Sequence, residues 1–69
     1  MKYAVVIEKG QGCYGAYAPD LPGCGAVGTS RSAVMDMIPE AISMHLAGLR
    51  EQGLEIPEPS AIEFVDVAA

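Results

Sequence analysis

Histidine and cysteine are the side chains best suited to act as base or nucleophile near neutral pH, and this chain carries three of them: Cys13, Cys24 and His45. At helical spacing His45 falls between Ile38 and Leu49 on an apolar stripe, three residues after Ile42. The expectation is a packed histidine with one hydrogen-bond partner, not a base. A reactive thiolate needs a neighbouring base or cation. With the histidine on that stripe, Cys13 and Cys24 read as small apolar strand residues. Together the three also fall short of the four ligands of a structural zinc site unless two chains share it. No metal and no cofactor is expected.

The carboxylates raise a second possibility. Glu8, Glu40 and Asp66 fall on a first strand, a helix and a last strand, the distribution by which ribonuclease H-type sheets hold two metal ions. Asp36 and Glu40, however, lie opposite the apolar stripe of their helix, so they point away from the sheet that carries Glu8 and Asp66. These acids do not converge, and a residual metal-dependent nuclease is the weakest reading. Glycines 10, 12, 23, 25 and 28 form neither a GxGxxG nor a Walker pattern and serve turns, not phosphates. No residue is assigned a catalytic role.

Sixty-nine residues make one domain, 1–69, and at this size only roughly 60% of the unfolded surface is buried, so an added source of stability is needed. Nothing at the N-terminus reads as a signal peptide, and the cysteines are expected to be reduced thiols of a cytoplasmic protein. If the turn at Pro19 to Gly23 joins paired strands, Cys24 falls opposite Tyr17 or Ala18, too far from Cys13 for a disulfide. The longest apolar run, Tyr3 to Ile7, is far too short to span a bilayer. The formal net charge is -5, and the basic residues Lys2, Lys9, Arg31 and Arg50 are scattered. Direct nucleic-acid binding requires clustered cations. A basic protein partner suits this balance better.

The elements that would position these residues follow from the pattern. Lys2 to Glu8 is β-branched and aromatic with near-continuous apolar character, which predicts a central strand buried on both faces. Gly10-Gln11-Gly12 reverses the chain, and Cys13 to Ala18 reads as the second strand of a hairpin, with Tyr14 and Tyr17 on opposite faces. Pro22-Gly23 suits the centre of a type II turn, and a third strand runs from about Gly23 to Val27. Thr29 or Ser30 caps a helix that Gly53 ends. Val34, Ile38, Ile42, Leu46 and Leu49 form its apolar stripe. Pro39, inside the helix, predicts a kink or break near Met35 to Pro39.

After an acidic, proline-rich link, Ala61 to Val67 reads as a last strand. The fold expected is α+β, in the order β-β-β-α-β: a mixed four-stranded sheet with one helix on one face. Strand four lies parallel to strand one, which is thereby central. One helix covers one face only. Ala4 and Val6 face opposite to Tyr3, Val5 and Ile7, so apolar surface is left over, and a homo-oligomer, dimer or tetramer, is expected to bury it.

The strand Tyr3 to Glu8, the turn Pro19-Asp20-Leu21-Pro22-Gly23-Cys24, the helix segment Glu40 to Leu49 and the tail Ile56-Pro57-Glu58-Pro59-Ser60, in this order and spacing, resemble the HicB-like antitoxins. The resemblance implies a truncated, partial ribonuclease H-like domain without ribonuclease activity. It implies the antitoxin of a type II toxin-antitoxin system, which binds and neutralises a small basic HicA mRNA interferase. An acidic chain masking a basic RNA-binding surface is physically sensible. Many members add a C-terminal DNA-binding domain; here a single HicB-like domain is expected. Where members often carry acids in the first helical turn, Arg31 and Ser32 stand. The partner contacts expected are Asp20 and Leu21 of the turn and an exposed tyrosine of strand two, Tyr14 or Tyr17. The alternative outside this family is an oligomeric module for an unrelated protein or ligand.

Overall fold

Two glycine-bearing reversals cut the first thirty residues into short strands, and a capped, striped helix follows. In the computed structural model, which describes residues 1–68, the elements are β1 (Val6–Lys9), β2 (Tyr14–Tyr17), β3 (Gly25–Gly28) and α1 (Arg31–Glu51). The strands form one antiparallel sheet in the order β1-β2-β3. Val6 pairs with Tyr17 and Ile7 with Ala16, while Ala16 in turn faces Ala26. Each pair shares a face, so Ile7, Ala16 and Ala26 line the helix side and Val6 and Tyr17 the other.

Ser30 caps the helix as expected: its hydroxyl accepts from the Ala33 amide at 3.0 Å, on an extended backbone. At the other end Leu54 donates to the Leu49 carbonyl (2.9 Å) and Gly53 to that of Arg50 (3.1 Å), with Gly53 at φ 70°. This pair of bonds is a Schellman closure, which places its C′ residue in the left-handed region where glycine is favoured.

The helix lies over β2 and β3. Ala16, Val34 and Ile38 form one buried cluster with Val5, Ile7, Tyr14 and Ala26 against it; Ala18, Leu21 and Cys24 form a second, backed by Tyr3 and Leu46. Ala41 and Ile42 touch both. The two clusters thus make one continuous core under the apolar stripe.

Three expectations are corrected. Of the kink or break expected near Pro39, the break does not occur: the helix runs unbroken from Arg31 to Glu51. Burying Val34 and Ile38 contributes roughly 1.5–3 kcal/mol each, and a break between them and the rest of the stripe would forfeit more than the roughly 3 kcal/mol an interior proline costs. Pro39 itself is exposed, so the Met35 carbonyl it deprives of a donor lies on a side that water can reach. Second, residues 61–67 form no strand, and residues 54–68 carry no regular structure. Third, the described sheet is therefore antiparallel, not mixed, and β1 is an edge, not the centre. The ladder on β1 begins only at Val6, opposite Tyr17. Beyond that point β2 turns away at Pro19, so Lys2 to Val5 have no neighbour to pair with.

Candidate functional site

The segment Ala18 to Cys24 folds as two successive turns. Leu21 donates to the Ala18 carbonyl and Cys24 to that of Leu21, each at 3.0 Å, with a proline at the second position of both. Gly23 follows Pro22 at φ 84°, which makes the second turn type II as its dipeptide predicts. Ala18 closes the loop by donating to the Cys24 carbonyl at 3.2 Å. Within it Leu21 has no exposed surface. Leu21, one of the expected partner contacts, is thus packed into the second core cluster of its own chain.

Asp20 is committed to its own chain as well. Its carboxylate accepts from the Ser60 amide at 2.8 Å and from the Ser60 hydroxyl at 2.5 Å. The Ser60 hydroxyl, and then its amide, hold the Asp20 carboxyl below the usual aspartate value against a smaller opposing effect of burial. Nearby, the Tyr3 hydroxyl donates to the Pro57 carbonyl at 2.5 Å. Residues 57–60 are thereby strapped across the start of β1 and the β2–β3 turn. Sequence reasoning singled out both segments yet missed their contact, since 40 residues separate Asp20 from Ser60 and no local pattern couples them.

The sheet face away from the helix is uncovered. Val6 and Tyr17 sit side by side on it, Tyr17 at 41% exposure, and Val27 adds an apolar side chain at 68%. Tyr14 turns the other way and packs half-buried against the first core cluster. A second apolar feature runs along the open edge of β1. There Tyr3 and Val5 and the helix residues Ile38, Pro39, Ile42 and Leu46 line a groove.

The remaining chemistry-bearing side chains are placed as follows. Cys24 and His45 border one shallow depression beside Gly23. Cys24 is buried, and that burial pushes its thiol up, away from the thiolate a nucleophile requires. Cys13 is a free, half-buried thiol and Cys24 a free, buried one. Of the nine Asp and Glu carboxylates, the eight other than Asp20 are exposed. Among the described residues no group of three His, Cys, Asp or Glu side chains could hold a metal ion. No helix among them is long and apolar enough to cross a membrane. The described residues thus expose an apolar sheet face and an open strand edge in an acidic surround.

The model of the HicB-like antitoxins of bacterial toxin-antitoxin systems matches residues 3–68. An uncharacterized 14.9 kDa protein of Haemophilus phage HP1 is 40% identical over 63 residues, 91% of this chain but 47% of the phage protein. The chain thus spans about half the length of that relative. A UPF0150 protein of Thermoplasma acidophilum is 36% identical over 93% of this chain and 94% of its own length. Another, from Archaeoglobus fulgidus, is 43% identical over 67% of this chain and 68% of its own length. No solved structure matches.

Proposed function

The chain belongs to the HicB-like antitoxin family, and from that premise we propose that it neutralises a small basic HicA-type mRNA interferase by binding it and occluding its RNA-binding surface. The match across residues 3–68 carries the reading. Its chemistry is association, not catalysis. Eight exposed carboxylates on a chain of net charge -5 draw a basic partner in and orient it. The uncovered face with Val6, Tyr17 and Val27 supplies apolar area to be buried. Tyr17 is the contact of first rank, with Asp20 shaping the rim; Tyr14 and Leu21 support the site from inside. The antitoxin acts in the cytoplasm, as a homo-oligomer of dimer or tetramer size, and residues 61–67, which form no strand in the single chain, complete on assembly the partial ribonuclease H-like sheet that the resemblance implies.

The test is co-expression with a basic protein of toxin size encoded beside this gene. The expected result is a stable complex on co-purification and restored growth of cells making the toxin. A neighbouring toxin that kills regardless and leaves this chain unbound overturns the reading.

A further inference from the structure

The run Tyr3 to Ile7 has the composition of a central strand, apolar on both faces, yet it stands at the open edge of the sheet. Such an edge is a template for another strand. Beside it, between β1 and α1, lies the groove of Tyr3, Val5, Ile38, Ile42 and Leu46. The helix stripe overhangs this space.

The same chain carries an apolar strand with nowhere to go. In Ile62-Glu63-Phe64-Val65-Asp66-Val67, Ile62 is 54% exposed, Phe64 96%, and Val65 and Val67 each 78%. Its root is fixed by the Asp20–Ser60 and Tyr3–Pro57 bonds, and past that root it lies outside the fold. The radius of gyration of 13.8 Å exceeds the about 11 Å of a compact chain of this length. The longest extent, 44 Å, likewise exceeds the roughly 32 Å of a 21-residue helix.

We propose that residues 61–67 of one copy pair with the open edge of β1 in a second copy, reciprocally, so that the two tails are exchanged. Period-two alternation puts Ile62 and Phe64 on one face of such a strand and Val65 and Val67 on the other. Ile62 and Phe64 fill the groove against Ile38, Ile42 and Leu46. Val65 and Val67 extend the open face beside Val6. A two-fold axis makes the contact self-complementary and leaves neither tail unpaired. The occupant is a second copy because each chain brings both the vacant edge and the strand that fits it. This exchange rests on the homo-oligomer proposed above and specifies its joint.

Two measurements test it. By light scattering at micromolar concentration the wild type is expected at twice the 7.2 kDa chain mass or a multiple of that. The variant Ile62→Asp/Phe64→Pro, altered only in the exposed tail, should halve that mass while keeping its helical circular dichroism. In an assembly mixed from isotope-labelled and unlabelled chains, filtered NMR should show Phe64 ring contacts to Val5 and Ile42 between chains. Contacts found only within one chain, or a variant that keeps the full mass, overturn the exchange and leave the homo-oligomer standing. A monomeric wild type overturns both.

Discussion

Asp20 shows how one carboxylate is spent. Both of its oxygens are taken by a single serine, Ser60, through the hydroxyl and the amide, and hydrogen bonds to the charged form favour it. Its folded pKa is therefore below the ordinary 3.8. For a group whose pKa is depressed on folding, the associated stability is fully present above the unfolded value and disappears as pH falls through the folded one. The strap at residues 57–60 is thus predicted to be intact at neutral and mildly acidic pH and to release only below 3.8. The Ser60 amide, followed by NMR as pH is lowered, should shift with a midpoint under that value. A midpoint at or above it would mean the bond does not form. Asp20→Asn keeps one acceptor but removes the charge, and should make Ser60 exchange faster without disturbing β2 or β3. The turn was legible from its prolines and glycine, because turn type is decided by four neighbouring residues. The use of its carboxylate was not, because that depends on a residue 40 positions away.

At the scale of elements, local rules predicted well and neighbour-dependent ones did not. The Ser30 cap, the Gly53 closure, the Pro22-Gly23 turn and the stripe through Val34, Ile38 and Ile42 each follow from a handful of adjacent residues. Whether Tyr3 to Ile7 is central or peripheral depends on what pairs beside it, which no property of those five residues settles. Pro39 lies between these cases. Its lost hydrogen bond is local, but its consequence depends on how firmly the sheet holds the turns on either side. Since the helix persists through it, the penalty is borne by the folded state and can be recovered. Pro39→Ala restores a donor for the Met35 carbonyl at a position exposed to solvent, and is predicted to stabilise the fold by roughly 1–3 kcal/mol. At about 4–8 °C per kcal/mol for a domain this small, thermal melts should rise by several degrees or more. A melting point that falls would mean that the ring's packing in the β1 groove outweighs the missing bond.

For the molecule as a whole, charge and apolar area have separate parts in recognition. Carboxylates spread over the surface give a field that speeds encounter with a basic partner and fades with salt. Affinity, by contrast, comes from the few side chains desolvated at the centre of the contact, and the uncovered face with Tyr17 and Val27 is an apolar area that the helix does not cover. These parts can be separated at Val27. With 68% of its surface exposed it adds little to the fold, and replacing it should move stability by no more than about 0.5 kcal/mol. Val27→Lys places a cation where, on the proposed reading, a basic toxin approaches, and forces its desolvation on binding. The predicted outcome is an unchanged melting point, an unchanged oligomeric mass, and toxin binding weakened at least tenfold, about 1.4 kcal/mol or more. Val27→Ala, which removes area without adding charge, should cost less. If the lysine variant binds toxin as the wild type does, the open face is not the toxin's docking surface, and occlusion must act through another side of the molecule.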